Sequence, residues 1–235
     1  MNQKHLFAAF LLLTLSACND LEDPTSVKLE DIILLQITGP ASLRADGVST
    51  TTLKATLPAE ATNRSIKFTT TRGSFLGTDG KLEVTATADS AGVAAVTLIA
   101  GRDVATANVT ATIGTSTTSV ALPQERAHAD TLTAETTSAF ATKNGVSKPL
   151  ITALLARQTG QVSLGTPATF EAFRGGVLVG RFFNITTSDI NGKATAMFAA
   201  DTDDLKTGSG DVTIRITTPT DAGGTLVTEI PMRIE

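Results

Sequence analysis

The sequence predicts an all-β protein whose strands pack as β-sandwiches. Threonine occurs 41 times in 235 residues, while tryptophan and tyrosine are absent. Glycine, asparagine, aspartate or proline interrupts the chain about every eight to twelve residues, which is the spacing of short antiparallel strands. No long segment after the amino terminus has helical periodicity. Together these observations indicate two-layered antiparallel sheets.

Individual segments have the alternation expected of half-buried strands. In residues 52–57 the apolar Leu53, Ala55 and Leu57 alternate with Lys54 and Thr56. Successive side chains of a strand point to opposite faces of its sheet, so one face of this strand should be buried. Residues 66–69 and 212–217 repeat the pattern.

The chain also contains an internal repeat with a period near one hundred residues. Three pairs of similar segments follow each other in the same order, at offsets of 98, 102 and 100 residues: 47–49 with 145–147, 68–73 with 170–175, and 89–98 with 189–198. Ordered similarities with drifting offsets are typical of a duplicated domain with loop insertions. The third pair begins with Asp-x-x-Gly, which predicts a turn that leads into an inward-facing strand.

The repeat resembles the bacterial Ig-like domain of the invasin and intimin type. The resemblance rests on Asp46-Gly47, on Ile66-x-Phe68, and on the Asp-x-x-Gly-x-Ala-x-Val-x-Leu pattern of residues 89–98. In the second copy, Asn144 precedes the glycine and Phe198 takes the leucine position. The resemblance implies tandem Ig-like sandwiches of seven or so strands, stacked as a stalk and without catalytic or ligand residues.

We therefore predict two domains, one at residues 30–121 and one at residues 127–235, with residues 123–126 as their junction. The second domain should close with a hairpin of residues 211–217 and 226–234. Pro231 fits an edge position in its last strand, because proline cannot donate a ladder hydrogen bond.

The amino terminus predicts a lipid anchor. Cys18, the only cysteine, ends a Leu-Ser-Ala-Cys run after the apolar residues 6–15, which follow Lys4. This arrangement resembles a bacterial lipoprotein signal, so residues 1–17 should be removed, and residues 18–29 should form the lipidated cysteine and an acidic tether. Two or three acyl chains would hold the protein on a membrane. An ordinary signal peptide with a chance cysteine is the alternative.

The residues after Cys18 bear on location. Aspartate directly after the lipidated cysteine would resemble an inner-membrane retention signal. This sequence has Asn19 there, which favours the outer membrane. The acidic residues 20–23 resemble the surface-export signal of Bacteroidota lipoproteins, and a solvated tether is the other interpretation.

Composition limits the partners. The net charge of -4 and the lack of a basic face argue against nucleic acid. Without tryptophan or tyrosine to stack on sugar rings, glycan binding is not favoured. The expected partners are the membrane, through lipid on Cys18, and another envelope or host protein. No cofactor is expected.

Three groups of side chains are candidates for chemistry. His128 has Asp130 two residues away but no evident nucleophile, which predicts a surface residue and not a hydrolase. Phe173 and Phe182 flank a predicted hairpin and become candidate ligand contacts if exposed, although we expect most phenylalanines in the core.

The third group is the acidic run of Asp201, Asp203 and Asp204, which could begin a calcium shell. Its spacing departs from the EF-hand pattern, so the prediction is a solvated loop.

These observations favour a non-enzymatic envelope lipoprotein whose Ig-like domains act as a surface spacer or as a protein-interaction or adhesion module. The alternative is a surface protein that binds a glycan or host molecule through loops of the second domain.

Overall fold

A computed structural model describes residues 33–206 and 208–235. The first half of these residues forms β1 (Leu34–Ile37), β2 (Leu43–Arg44), β3 (Thr50–Thr56), β4 (Ser65–Thr70), β5 (Ser74–Phe75), β6 (Glu83–Thr87), β7 (Val93–Ile99), β8 (Thr106–Ile113) and β9 (Ser116–Glu125). The second half forms β10 (Thr131–Thr136), β11 (Phe140–Ala141), β12 (Leu150–Ala156), β13 (Thr169–Arg174), β14 (Val177–Leu178), β15 (Arg181–Phe183), β16 (Lys193–Ala199), α1 (Asp203–Lys206), β17 (Gly210–Pro219) and β18 (Thr225–Ile234).

Each half is a sandwich of a four-stranded and a five-stranded sheet. In the first half the strand orders are β1-β3-β7-β5 and β2-β9-β8-β4-β6, and in the second they are β10-β12-β16-β15 and β11-β18-β17-β13-β14. Within the described residues, no strand of one half pairs with a strand of the other. The predicted fold of two tandem Ig-like β-sandwiches is confirmed. No helix in this part of the chain is long and apolar enough to span a membrane.

The cores include the residues that the alternation placed inward. Leu53, Ala55 and Phe68 are fully buried in the first sandwich, and Phe198 is fully buried in the second. Aromatic rings fill both cores through tilted or edge contacts, as ring quadrupoles favour. With no disulfide within the described residues, each sandwich depends on this packing.

The two Asp-x-x-Gly segments form the predicted turns. Each aspartate accepts hydrogen bonds from the N–H groups two and four residues ahead, at 2.9 and 3.0 Å for Asp89 and at 2.8 and 2.9 Å for Asp189. Gly92 and Gly192 have φ angles of 78° and 75°, a region that other residues resist.

The last strand of the first sandwich runs further than predicted. β9 extends to Glu125, so three of the four residues assigned to the junction lie in a strand. Pro123 still pairs with Thr106 of β8, and in a parallel contact with β2 Leu43 and Arg44 pair with Gln124 and Glu125. Only residues 126–130 separate β9 from β10.

The closing hairpin of the second sandwich is confirmed, because β17 pairs with β18 along ten residues. Pro231 lies opposite Thr213, where no strand among the described residues flanks the outer side of β18, since β11 reaches only Arg233 and Ile234. This is the predicted edge position.

The two sandwiches differ in the strand that covers one sheet edge. In the first, β6 pairs with β4 over five residues, whereas in the second, β14 pairs with β13 only at Phe173 and Arg174. The chain then crosses to the opposite sheet, where β15 pairs with β16.

Candidate functional site

The two sandwiches meet end to end, and backbone hydrogen bonds cross their junction. The loop between β12 and β13 lies against the end of the first sandwich. In this loop the N–H of Gln161 donates to the carbonyl oxygen of Asp46 at 2.9 Å, and the N–H of Leu164 donates to that of Arg102 at 3.0 Å. These bonds fix the position of one backbone relative to the other.

Ser163 joins three segments at the centre of this junction. Its fully buried hydroxyl donates to the carbonyl oxygen of Ala45 at 2.8 Å and accepts from the N–H of Ala127 at 2.8 Å. Its own N–H donates to the carbonyl oxygen of Ala127 at 3.0 Å. A buried hydroxyl costs free energy unless it is hydrogen-bonded, and here it is bonded as both donor and acceptor.

Arg102 reaches from the first sandwich into the second. Its Nε and Nη2 donate to the carbonyl oxygen of Val162 at 3.2 and 2.8 Å, and its Nη1 donates to that of Ile190. The planar guanidinium presents several donors in a fixed geometry, which suits two carbonyl groups at once. Burial lowers the pKa of Arg102, and the nearby charge of Asp189 partly offsets this effect.

The loop of the first sandwich that accepts the Gln161 N–H is held by Asp46, a buried carboxylate. Its Oδ1 accepts from the N–H groups of Val48 and Ser49 at 2.9 and 2.7 Å, and its Oδ2 accepts from the Ser49 hydroxyl at 2.7 Å. Gly160 of the second sandwich packs directly on this loop. A Cβ there would lie 2.8 Å from the Asp46 oxygen and 2.7 Å from Val48 Cγ2, so only glycine fits.

An ionic cluster borders the junction. Asp221 accepts from the N–H of His128 at 2.9 Å and from Arg157 Nη1 at 2.8 Å, and Arg44 of the first sandwich approaches it at 3.9 Å. Arg44 also donates to the carbonyl oxygen of Arg126 at 3.0 Å. The cluster therefore connects residues 126–130 to both sandwiches.

The sequence predicted His128 as a surface residue, and its side chain is partly buried in this cluster. The reason is the pairing of its backbone with Asp221, whose Oδ1 lies 3.6 Å from His128 Nδ1. Burial lowers the pKa of His128, Asp221 raises it, and Arg126, Arg44 and Arg157 lower it further. Asp130, its sequence neighbour, accepts instead from the N–H of Gln158.

The pKa of Asp221 is lowered although the residue is partly buried. Burial alone would raise this pKa, but the hydrogen bonds from the His128 N–H and from Arg157, together with the charges of Arg157 and Arg44, lower it. Asp221 is thus held as the anion among cations.

The three candidate calcium ligands lie near each other in sequence but not as a converging site. Asp201 is paired with Arg181, whose Nε donates to Oδ1 at 2.8 Å, and this hydrogen bond lowers the pKa of Asp201. Asp203 begins α1, and Asp204 Oδ2 accepts from the N–H of Gly180 at 3.3 Å. In the described part of the chain, no three His, Cys, Asp or Glu residues are grouped to hold a metal ion.

The two candidate phenylalanines have different environments. Phe182 packs on the core between the rings of Phe170 and Phe198, at centroid distances of 5.9 and 5.2 Å. Phe173 lies partly exposed below the guanidinium of Arg215, 4.7 Å from its ring centroid. It lines a shallow surface cavity of about 240 Å³. Cys18, the predicted lipidation site, lies outside the described residues.

Sequence reasoning missed Arg102 and Ser163, the two side chains that make most of the junction. Both donate hydrogen bonds to backbone carbonyl oxygens, which every residue carries, so no particular residue type in the sequence identifies their partners. Only the end-to-end packing of the sandwiches brings them together.

Comparisons with known proteins bear on the fold. Neither a protein-family model nor a curated protein sequence matches this chain. Among solved structures, the adhesin InvE of Yersinia pseudotuberculosis is similar with a TM-score of 0.58 and 18% identity, over 85% of this chain and 58% of that chain. Invasin, described as a bacterial integrin-binding protein, is similar with a TM-score of 0.58 and 20% identity, over 86% of this chain and 39% of that chain.

The chain thus spans less than two thirds of either structure. At these identities the similarity concerns the fold. The protein has the fold of tandem bacterial Ig-like domains of the invasin type.

Proposed function

We propose that this protein is a non-enzymatic lipoprotein of the bacterial cell envelope, anchored in the outer membrane through Cys18 and exposed at the cell surface. Its two sandwiches act as a spacer that carries a protein-interaction or adhesion surface away from the membrane. The observation that carries the spacer role is the hydrogen-bonded junction centred on Ser163 and Arg102.

A spacer must resist bending between its domains. A linker of five residues without other contacts would let two domains reorient, because inter-domain motion is the default for small interfaces. Here the junction adds backbone bonds from Gln161 and Leu164, the buried Ser163 hydroxyl, and the Arg102 side chain. Each hydrogen bond contributes about 1 kcal/mol net, so their sum favours one orientation.

The interaction role is supported by the fold. InvE is named an adhesin and invasin an integrin-binding protein, and both share the Ig-like architecture. The non-enzymatic role is supported by His128, which contacts Asp221 and arginines and no candidate nucleophile among the described residues.

The spacer role is tested by a distance measurement between the two ends. Spin labels on Glu60→Cys and Val146→Cys, in a Cys18→Ser background, report the distance along the long axis. We expect a narrow distribution that broadens in Arg102→Ala. The matched control is Arg72→Ala, because Arg72 pairs with Asp103 inside the first sandwich. A broad distribution in the parent chain would contradict a rigid spacer.

The anchor is tested separately by feeding cells labelled palmitate. We expect the label on the parent chain and on Thr25→Ala, and its loss in Cys18→Ser. Label that persists in Cys18→Ser would exclude this anchor. Protease added to intact cells tests the surface location, since a periplasmic chain would be protected.

A second candidate function is the binding of a glycan or host molecule by loops of the second sandwich. The observation that favours it is the cavity beside Phe173, next to Val177 and Leu178, which are 65% and 60% exposed. A glycan array and a pull-down from host cells test it. Binding that is lost in Phe173→Ala would favour this function over a plain spacer.

A further inference from the structure

The outer edge of β13 in the second sandwich is open over a short stretch. At one end Ser188 donates to the carbonyl oxygen of Thr166, and at the other Val179 donates to that of Ala172. Alternate residues of a strand direct their backbone groups to the same side, so Phe170 faces this edge as Ala172 does. In the described chain, no segment pairs with Phe170 on that side.

The first sandwich provides a template for what such an edge can bind. There β6 covers β4 in antiparallel register, with Val84 opposite Phe68 and Glu83 opposite Thr69. Val84 packs on the core, and Glu83 forms an ion pair with Lys67 at 2.8 Å. The covering strand therefore supplies apolar residues inward and a complementary charge outward.

The second sandwich has the same edge, but β14 covers it only at Phe173 and Arg174. Phe170 is the repeat counterpart of Phe68, at an offset of 102 residues, which places Glu171 at the position of Thr69. Glu171 lies across from Arg215, but Arg215 Nε donates to Glu229 at 2.8 Å. Among the described residues, no cation forms an ion pair with Glu171.

We propose that this open edge of β13 binds an extended segment of a partner protein, which adds as a short antiparallel strand with a lysine or arginine beside Glu171. An apolar residue of the segment lies opposite Phe170. Main-chain hydrogen bonds supply the affinity and the side chains supply the selectivity, as in other strand-addition complexes. The site depends on the interaction role proposed above, and neither on the lipid anchor nor on a rigid junction.

The chemistry of the occupant follows from the size and charge of the edge. From Thr166 to Ala172 the edge measures about 20 Å at roughly 3.3 Å per residue, which admits a segment of about five residues. The carboxylate of Glu171 favours a basic residue beside it, because opposite charges on neighbouring strands stabilise a sheet.

The β6 sequence yields a matched pair of probes. One is the peptide acetyl-Lys-Val-Thr-Ala-Thr-amide, and the other is acetyl-Glu-Val-Thr-Ala-Thr-amide, which is the β6 sequence itself. Both are titrated into the whole ¹⁵N-labelled chain in detergent, and the amide signals of Phe170 and Ala172 are followed by NMR. We expect the lysine peptide to shift these signals with about threefold higher affinity, the size of one cross-strand ion pair.

Two variants separate pairing from general electrostatics. In Glu171→Lys the preference should reverse, so that the glutamate peptide binds more tightly. In Glu135→Lys, on the exposed face of the opposite sheet, the preference should remain. Methylation of the valine nitrogen in the lysine peptide should abolish the shifts, because it removes a ladder donor.

Three results would overturn the proposal. They are the absence of shifts at Phe170 with either peptide, an unchanged preference in Glu171→Lys, and self-association of the chain that broadens the Phe170 signal without peptide. The last would assign the edge to a second copy. None of these results changes the end-to-end distance measurement, so the spacer role fails or stands independently.

Discussion

The buried hydroxyl of Ser163 donates a hydrogen bond to the carbonyl oxygen of Ala45, across the boundary between two separately folded sandwiches. The hydroxyl oxygen of Ser163 also accepts a hydrogen bond from the N–H of Ala127 in the linker. One side chain thus satisfies polar groups from three segments, and its removal should weaken the junction more than an ordinary surface change.

Ser163→Ala should lower the free energy of unfolding by about 1–3 kcal/mol, because the Ala45 oxygen and the Ala127 N–H lose their partner in a buried site. Urea unfolding of the whole chain in detergent measures this. Ser90→Ala, in an exposed turn, is the control and should change stability by no more than about 0.5 kcal/mol. Equal stability of the two variants would mean that water replaces the Ser163 hydroxyl.

Arg102→Lys should loosen the junction although it keeps the charge. An ammonium group cannot donate to the Val162 and Ile190 carbonyl oxygens in the planar geometry of a guanidinium. We expect a loss of about 1–2 kcal/mol in unfolding free energy and a broader end-to-end distance distribution. Arg64→Lys is the matched control, since Arg64 donates to a carbonyl oxygen within the first sandwich. A parent-like distribution in Arg102→Lys would show that charge alone is sufficient.

Stability should fall as the pH drops below about 6.5, the usual pKa of histidine. The folded-state pKa of His128 is lowered, mainly by burial and also by Arg126, Arg44 and Arg157. Its contribution is therefore present above the unfolded pKa and is lost as the pH falls through the folded pKa. Asp221 accepts from the His128 backbone and also has a lowered pKa, so its contribution is lost at lower pH, below the usual aspartate range.

His128→Gln should flatten the first of these two steps and leave the second. Denaturation midpoints between pH 8 and pH 2 measure both. A slope near pH 6 that is identical in the parent chain and the variant would assign the effect to another group.

Gly160→Ala should destabilise the chain more than Gly77→Ala. Both glycines have positive φ angles, 71° and 78°, so both variants bear the same backbone cost of about 1–2 kcal/mol. A Cβ at Gly77 meets nothing within 4 Å, whereas one at Gly160 strikes the Asp46 loop. The difference between their unfolding free energies measures the steric closeness of the junction. No difference would indicate that the two sandwiches can separate without loss.

The strands and cores could be predicted because their causes are local. Neighbouring residues determine the period of two around Leu53 and Ala55. They also determine the Asp-x-x-Gly turns at Asp89 and Asp189. The repeat extended these inferences from one half to the other, and most of the second sandwich follows the first strand for strand.

The junction and the open edge could not be predicted because they depend on contacts between segments that are far apart in the sequence. β9 continues to Glu125 because Pro123 still pairs with Thr106 of β8, and β2 lies beside Gln124 and Glu125. β14 takes the sheet position of β6 but pairs with β13 only at Phe173 and Arg174, whereas β6 pairs with β4 over five residues. Residue type alone does not show where such a pairing ends. The contacts of His128 could not be predicted for the same reason, because its partner Asp221 lies 93 residues away in the sequence.

Arg102 binds the backbone of its neighbour and not the side chains. Its acceptors, the carbonyl oxygens of Val162 and Ile190, would persist if either residue were exchanged for another of similar conformation. The joint between the sandwiches can therefore keep its angle while the loop surface changes its chemistry.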